Sequence, residues 1–247
     1  MKLSNRVALV TGSSNRVGKV IALALAREGA DVVVHYGGSA LAAQQTASEI
    51  EALGVRVAVE QADLGRWDEA VHLGERALGH FGHVDILVNS ASSFVHADYL
   101  HTTEAQFDEA MDVNVKGPYA LSQVIGRAMV DGAGGHIINI VDEGAFYPST
   151  RATAHGVSKA ALLALTHSQV VALGPKVRVN AICPGPILKP PSYSDERWES
   201  LRERSPLNEI GTAEQLAEVV LFLLTGPSFI DGDCIMLEGG HKWQREF

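Results

Sequence analysis

The stretch from Val141 to Lys159 contains three side chains whose types suit proton transfer: Asp142, His155 and Lys159. Asp142 directly follows an apolar run, and His155 and Lys159 are spaced to share one face of a helix. A carboxylate, an imidazole and an ammonium that meet at the end of a strand form a candidate acid–base site. The alternative is that each is an ordinary surface or core residue, so the elements around the stretch must decide.

The surrounding chain alternates short apolar runs with segments of helical period. The runs that predict strands are residues 7–10, 32–34, 55–59, 86–88, 137–141, 177–182 and 234–237. They are continuously apolar, as is typical of strands covered on both faces. Helices are predicted around residues 17–24, 40–53, 67–80, 104–130, 153–173 and 216–223. The alternation predicts an α/β protein: a single-domain doubly wound (Rossmann) fold over residues 1–247, with a seven-stranded parallel sheet and helices on both faces.

One segment departs from this alternation. Residues 184–206 are rich in Pro and Ser and have little apolar periodicity. The segment is too long for an ordinary connection, which makes it a candidate lid or substrate loop.

Composition narrows the class of protein. The formal net charge is -9 and no run is rich in Lys and Arg, which argues against nucleic acid or an anionic membrane as the main partner. Cys183 and Cys234 are too few for a disulfide framework, and their separation does not suggest a metal site. The start of the sequence does not have the pattern of a signal peptide, and no run nears transmembrane length. We therefore expect a soluble, cytoplasmic protein that acts on a small molecule.

The turn between the first strand and the first helix is rich in glycine and carries a cation. Gly12 and Gly18, with Asn15 and Val17 between them, allow a phosphate to approach the backbone at the positive end of the helix. Arg16 adds a guanidinium that can pair with a phosphate. The turn is therefore a candidate dinucleotide site.

The end of the second strand bears on which dinucleotide binds. His35 and Tyr36 end this strand and Ser39 follows, so that no acid is present to bind a ribose 2′-hydroxyl. Together with Arg16, this favours a 2′-phosphate and therefore NADP over NAD.

Three other strand ends carry small or polar residues at the edge where ligands bind in such sheets. These residues are Asp63 and Leu64 after strand three, Asn89, Ser90, Ala91, Ser92 and Phe94 after strand four, and Pro184, Gly185, Pro186 and Ile187 after strand six. Asp63 suits an adenine edge or, alternatively, the cap of the next helix. Phe94 suits stacking on a flat ligand or, alternatively, the core. Asn114, inside a predicted helix, is expected to bind a backbone carbonyl or a water.

In these positions the chain resembles the short-chain dehydrogenase/reductase family over essentially its whole length. The matching residues, in the family's order, are Thr11 and Gly12 with Gly18, then Asp63, Asn89 with Ala91, Asn114, Lys159, and Pro184 with Gly185. Within the family the chain is most similar to the pteridine reductases. That similarity rests on Arg16 in the glycine motif, the turn Asn89–Phe94, Asp142 at the catalytic serine position, and the segment Asp195–Leu207 with Trp198.

The resemblance implies an NADPH-dependent reductase of a pterin-like substrate, such as a dihydropteridine or dihydrofolate, and a homotetramer built on helices 104–130 and 153–173. It implies catalytic roles for Asn114, Asp142 and Lys159, and a substrate site formed with Ser92, Phe94, Tyr147, Pro186 and Trp198. Lys159 is also expected to hold the ribose hydroxyls of the cofactor. The short tail from His241 to Phe247 is a candidate contact with a neighbouring subunit.

The central departure is His155, because the family has Tyr as the proton donor in a Tyr-x-x-x-Lys motif. A smaller departure is the pair Gly37 and Gly38, where many pteridine reductases carry His and Arg beside the 2′-phosphate. Three hypotheses follow. In the first, the chain is a reductase with His155 and Asp142 as a proton relay. In the second, it acts on ordinary ketones, alcohols or 3-oxoacyl compounds, and Tyr147 or a water replaces the missing Tyr. In the third, it is an NADP-binding protein without catalysis.

Overall fold

A computed structural model describes residues 1–190 and 193–243. Its strands are β1 Val7–Val10, β2 Asp31–Tyr36, β3 Val57–Gln61, β4 Ile86–Asn89, β5 Gly135–Ile140, β6 Val177–Pro184 and β7 Cys234–Leu237. Its α-helices are α1 Arg16–Arg27, α2 Ala40–Glu51, α3 Trp67–Phe81, α4 Glu104–Met111, α5 Gly117–Asp131, α6 Thr153–Leu173, α7 Asp195–Arg204 and α8 Ala213–Thr225. A π-helical turn, Asp112–Lys116, joins α4 to α5, and short 3-10 turns lie at Glu143–Ala145 and His241–Trp243.

The strands form one parallel sheet in the order β3-β2-β1-β4-β5-β6-β7. Adjacent apolar residues of each strand point to opposite faces, and both faces are covered by helices. On β1, Ala8 and Val10 pack in a cluster with α1, α2 and α8, whereas Val7 and Leu9 pack in a second cluster with α3 and α5. The predicted doubly wound seven-stranded fold is confirmed.

The strand order reverses between β1 and β4, because the chain runs outward to β3 and then returns to the other side of β1. The loops after β1 and β4 therefore diverge, and they leave a crevice at the carboxyl edge of the sheet. The proposed catalytic stretch follows β5 at the same edge.

Several predicted boundaries are wrong. The predicted helix 104–130 is two α-helices joined by the π-helical turn, and the third strand lies at Val57–Gln61 rather than 55–59. Within the predicted loop 184–206 the structure places α7. The signals for α7 are Ser194, which caps it by accepting from the Arg197 N–H, and charges suited to the helix dipole, with acids in the first turn and arginines in the last. An apolar period does not reveal such a helix.

The expectation about transmembrane length is wrong for one helix. Among residues 1–190 and 193–243, α6 is long and apolar enough to cross a membrane by length and composition. One such helix is weak evidence for a membrane span, and α6 carries the buried polar side chains of His155 and Lys159.

Candidate active site

A cavity of about 1200 Å³ lies at the carboxyl edge of the sheet. Its volume exceeds the several hundred Å³ that hold one drug-sized ligand, so a dinucleotide and a small substrate fit together. The predicted residues that line it on the cofactor side are Gly12, Asn15, Arg16, Val17, Gly18, His35, Ser39, Asp63, Leu64, Ser90, Ala91, Lys159, Pro184, Gly185 and Ile187. Those on the substrate side are Ser92, Phe94, Asp142, Tyr147, His155, Pro186 and Trp198.

The glycine turn allows neighbouring segments of backbone to approach one another closely. Gly12 has φ +66, and a Cβ there would lie 2.9 Å from Ala91 Cα. A Cβ on Gly18 would lie 2.4 Å from the Gly12 carbonyl oxygen, so α1 can pack against the turn only with glycine at this position. These contacts bring the N-terminus of α1 to the cavity wall.

That N-terminus suits a phosphate. The cap residue Asn15 makes no side-chain hydrogen bond to the helix, so the first-turn N–H groups keep their donors for a ligand. Arg16 is exposed on the cavity, and in the described part of the chain its guanidinium has no carboxylate partner. The turn therefore fits the pyrophosphate and 2′-phosphate of a nicotinamide dinucleotide.

His35 shapes this turn rather than offering its ring to a ligand. Its Nδ1 accepts from the Gly12 N–H at 3.0 Å, and its Nε2 lies 3.1 Å from the Ala62 carbonyl. Because a carbonyl only accepts, the ring carries its proton on Nε2. Burial lowers the pKa of His35 to about 4, so the ring is neutral near pH 7. His35 thus fastens the turn to β2 and to the end of β3.

Thr11 fixes the loop after β4. Its Oγ1 accepts from the Ser90 and Ala91 N–H groups at 2.9 and 3.0 Å. The loop is therefore tied to the end of β1 and follows the cavity wall toward Phe94.

His155 lies on α6, lines the substrate side of the cavity and is only 3% exposed. Its Nδ1 is 3.1 Å from the Ser93 carbonyl, whereas its Nε2 has no hydrogen-bond partner among the described residues. The nearest acid is Asp142, whose Oδ1 lies 3.9 Å from Nε2. Such separations in a ligand-free site commonly shorten when substrate binds, so the pair can exchange a proton.

Asn114 connects the π-helical turn to this histidine. Its Nδ2 donates to the Ser93 carbonyl at 2.9 Å and its Oδ1 accepts from the Ser93 N–H at 2.8 Å. The expectation that Asn114 binds a backbone carbonyl is therefore correct. Its Nδ2 also donates to Ser158 Oγ at 2.9 Å, and Ser158 Oγ donates to the His155 carbonyl.

Asp142 and Lys159 complete the polar cluster. Asp142 Oδ1 accepts from the Gly144 N–H at 2.8 Å, which holds the carboxylate at the start of the 3-10 turn. Lys159 is buried and donates to the Ile140 carbonyl at 2.9 Å. Burial lowers the pKa of Lys159 to about 8, and the nearby Asp142 carboxylate opposes that shift. The structure thus brings together the acid, the imidazole and the ammonium of the stretch Val141–Lys159.

Aromatic rings line the substrate side. Phe94 is half-exposed, and its ring centroid lies 4.3 Å from that of His155 and 4.7 Å from that of His96. At the mouth of the cavity, the Arg197 guanidinium lies 3.6 Å from the centroid of Tyr193. Phe94 therefore lies on the cavity wall rather than in the core, as a stacking role requires.

Two residues expected to bind the cofactor do not line the cavity. Tyr36 packs against the core cluster of α1 and α2. Asn89 is buried and donates to Ser122 and Asn139, so its amide ties β4 to β5 and α5. In addition, Asp63 is not the cap of α3, because that cap is Arg66, and Asp63 instead accepts from the Gly65 N–H.

Sequence reasoning missed several cavity residues. Ser93 acts through its carbonyl, which side-chain chemistry does not reveal, and Tyr193 and Arg197 lie in the segment without apolar periodicity. Glu143 follows Asp142 directly, and its Oε2 is 3.1 Å from Nδ1 of the buried His241. The tail thus contacts the site of its own chain, and residues 244–247 lie outside the described residues.

Comparison with known proteins agrees with this geometry. A family model described as enoyl-(acyl carrier protein) reductase matches residues 12–242. An uncharacterized oxidoreductase, YohF, of Escherichia coli is 32% identical over 240 residues, which cover 95% of each chain. The 3-oxoacyl-acyl-carrier-protein reductase FabG of Staphylococcus epidermidis is 32% identical over 240 residues, which cover 96% of this chain and 98% of the relative.

Solved structures show the same architecture. A short chain dehydrogenase from Burkholderia cenocepacia in complex with NADP aligns with a TM-score of 0.91 at 32% identity, over 98% of this chain and 100% of the other. Acetoin dehydrogenase YohF from Salmonella typhimurium aligns with a TM-score of 0.89 at 30% identity, over 97% of each chain.

The fold and the site define an NAD(P)-dependent oxidoreductase of Rossmann type. The chain belongs to the short-chain dehydrogenase/reductase family. The expectation of NADP as cofactor is confirmed at the level of the family, through its NADP-bound member.

Proposed function

We propose that this chain is an NADP(H)-dependent oxidoreductase in which Asp142 and His155 form the proton relay. The observation that carries the proposal is His155 Nε2, which is buried without a partner and lies 3.9 Å from the carboxylate of Asp142. Leaving a buried polar atom unpaired costs about 1–3 kcal/mol. Among the described residues, His136 and His241 each also bury one unpaired ring nitrogen, so the proposal depends on the cavity-lining carboxylate that lies beside His155 Nε2.

In this assignment His155 occupies the place of the family's Tyr. Bound NADPH would supply a hydride to the substrate carbon. Asp142, which is part-exposed on the cavity, exchanges the proton with the substrate, and His155 behind it stores or supplies that proton. Lys159 places positive charge beside the ribose side of the cavity, and Asn114 keeps the loop after β4 in register with α6.

For the substrate we propose a flat heterocycle of the pterin class, a dihydropteridine or dihydrofolate. Phe94 supports this class, because it is half-exposed, lines the cavity beside His155, and offers a ring on which a flat ligand can stack. Trp198 and Tyr147 offer further aromatic surface on the same wall.

The relatives favour a second candidate, a small ketone, alcohol or 3-oxoacyl compound. One relative is named as a 3-oxoacyl reductase and a structural relative as acetoin dehydrogenase. In this case Tyr147, which lines the cavity, is the alternative proton donor. The Tyr147→Phe substitution then abolishes turnover, whereas it does not if Asp142 and His155 form the proton relay.

The test is a substrate screen with purified protein and NADPH between pH 5 and 8. The oxidised substrates are 7,8-dihydrobiopterin, diacetyl and acetoacetyl-CoA, and the Asp142→Asn variant provides the background. Turnover of dihydrobiopterin supports the pterin class, and turnover of the other two alone supports the second candidate. Tight binding of NADPH without any turnover contradicts both and leaves a cofactor-binding protein without catalysis.

For the cofactor we propose that Arg16 binds the 2′-phosphate. Replacing Arg16 with Ala removes a charge-assisted pair, so NADPH affinity should fall by about tenfold or more while NADH affinity changes little. Isothermal titration with both cofactors measures this. Equal affinity of the wild-type protein for NADH and NADPH would show that the assignment of Arg16 is wrong.

We also propose a cytoplasmic homotetramer assembled through α4, α5 and α6. Large apolar side chains are exposed on these helices: Phe107, Tyr119, Val157 and Val171. Exposed apolar surface of this kind favours association with another chain. Light scattering after size-exclusion chromatography distinguishes a tetramer from a monomer of 26.3 kDa.

A further inference from the structure

The Ser93 carbonyl is held in place before it meets His155. Asn114 binds both the N–H and the carbonyl of Ser93, at 2.8 and 2.9 Å, so neither of the two peptide groups that flank this residue can turn without breaking a hydrogen bond. Asn114 is fully buried, and its contact with Ser158 fixes it in turn to α6. The carbonyl oxygen that faces His155 therefore has a defined position.

That carbonyl decides where the imidazole carries its proton. A carbonyl oxygen accepts hydrogen bonds and cannot donate one, so His155 Nδ1, at 3.1 Å, must be the donor. The other tautomer would place two lone pairs against each other and direct an N–H toward Asp142 across 3.9 Å, too far for a hydrogen bond. The neutral ring therefore has a free lone pair on Nε2.

We propose that Asn114, acting through the Ser93 carbonyl, fixes His155 as its Nδ1–H tautomer, so that the neutral ring can only accept a proton at Nε2, as oxidation of a substrate requires. Reduction then requires His155 in its doubly protonated form. The inference rests on the proposed relay and adds its resting state and the protonation state that each direction needs.

The proton balance in the oxidative direction is as follows. Bound oxidised cofactor would accept the hydride of the carbinol carbon as the C–O bond becomes C=O. The hydroxyl proton passes to the carboxylate of Asp142, which lines the cavity with 30% of its side chain exposed. Asp142 then gives this proton to His155 Nε2, which ends as imidazolium while Asp142 returns to carboxylate.

Other charged and titratable groups line the same cavity and act on this equilibrium. They are Asp142 and Glu143 after β5, Tyr147 and Arg151 beyond them, Lys159 on α6, His96 after β4, Glu109 on α4, Tyr193 and Arg197, and on the cofactor side Arg16, His35 and Asp63. The carboxylates favour the imidazolium and the cations oppose it. The nearest of these acids, Asp142, lies 3.9 Å from Nε2, beyond hydrogen-bond distance, so the hydrogen bond of Nδ1 to the Ser93 carbonyl decides the tautomer.

The tautomer is measured without any substrate. Protein labelled with ¹⁵N-histidine and bound to NADP⁺ is examined by two-bond ¹H–¹⁵N correlation spectra, with His155→Gln to identify the His155 signals. We expect the pattern of a protonated Nδ1 and an unprotonated Nε2. The opposite pattern, with the proton on Nε2, would overturn the proposal.

The positioning role of Asn114 is tested against a matched buried asparagine. Asn180 also makes several buried hydrogen bonds, to His136, the Ile230 carbonyl and the Asp233 N–H, but does not line the cavity. In Asn114→Ala the His155 signals should change to a mixture of tautomers, whereas in Asn180→Ala they should keep the wild-type pattern. An unchanged tautomer in Asn114→Ala would show that Asn114 does not set it.

Direction is tested with the acetoin/diacetyl and 3-hydroxybutyryl-CoA/acetoacetyl-CoA pairs. Because oxidation needs a proton acceptor and reduction needs a proton donor, kcat/KM for oxidation should rise with pH and kcat/KM for reduction should fall with pH. Reduction that keeps its full rate at alkaline pH overturns the proposal. If neither pair turns over, the proposed function fails for these substrates, and the tautomer spectra still decide this inference.

Discussion

Two buried histidines stand at opposite ends of the cavity, and their surroundings differ. His35, at the cofactor end, has both ring nitrogens within hydrogen-bond distance of backbone groups, the Gly12 N–H and the Ala62 carbonyl. His155, at the substrate end, has one nitrogen paired with a carbonyl and the other unpaired beside Asp142. The two neutral rings also carry their protons on opposite nitrogens, on Nε2 in His35 and on Nδ1 in His155.

Under the proposed relay, this difference separates a histidine that holds the fold from one that transfers protons. A fully paired ring contributes its hydrogen bonds to stability and gains nothing from a change of charge. A ring with one free nitrogen lowers stability in the resting protein, and it can accept or release a proton without breaking its anchoring hydrogen bond. Burial alone does not distinguish the two, since both residues are nearly inaccessible.

The largest expected effect follows from replacing each histidine with Gln. His155→Gln cannot hold the relayed proton, so kcat should fall by about 10²–10⁴, the usual contribution of a general acid or base. NADPH affinity should stay within about threefold, because the ring does not hold the glycine turn. Steady-state kinetics and isothermal titration measure the two effects.

His35→Gln is the matched control, and we expect it to change NADPH affinity rather than kcat. It loosens the Gly12 turn, so NADPH affinity should weaken while kcat at saturating NADPH stays close to that of the wild type. If His35→Gln lowered kcat as much as His155→Gln, the division of roles between the two residues would be wrong.

The next effect concerns how the stability of the folded protein depends on pH. The pKa of His35 is about 4 in the folded protein and 6.5 ordinarily, so between these values the unfolded chain binds a proton that the folded protein does not. Stability is therefore lost as pH falls from 6.5 to 4, by about 3 kcal/mol from this residue. Urea unfolding at pH 7 and pH 4 should show the advantage of wild type over His35→Gln shrinking by this amount. An advantage of constant size would mean that the pKa of His35 is the same in the folded and the unfolded protein.

Local sequence signals predict the framework of this site but not its internal contacts. Apolar runs and glycine spacing are such signals, and Gly12, Asp142 and Lys159 line the cavity as they predict. The hydrogen bonds of His35 to Gly12 and Ala62 have no local signal, because these partners are distant in sequence and meet it only through the sheet register. The tautomer of His155 depends on a backbone carbonyl, which every residue type has, so composition and spacing carry no signal for it.

The segment 184–206 shows the same limit at the level of secondary structure. The resemblance predicts Trp198 on the substrate side, and it does line the cavity. The sequence does not predict the helix that carries it, because α7 buries none of its residues and so has no apolar stripe. Capping by Ser194 and the order of charges were the available signals.

The smallest expected effect is a gain in stability rather than a loss, and it follows from replacing Lys159. Burial lowers the pKa of Lys159 from 10.5 to about 8, so keeping it charged at pH 7 costs the fold about 3 kcal/mol. Lys159→Met removes that cost but leaves the Ile140 carbonyl unpaired, which lowers the free energy of unfolding by about 1–2 kcal/mol. The variant should therefore be about 1–2 kcal/mol more stable at pH 7, even though its turnover is impaired.

Because the wild-type lysine loses its charge in the fold above pH 8, the gain should disappear as pH rises from 8 to 10.5, which urea unfolding at both pH values measures. Destabilisation at pH 7 would instead mean that Lys159, like His35, is a paired residue that holds the fold together.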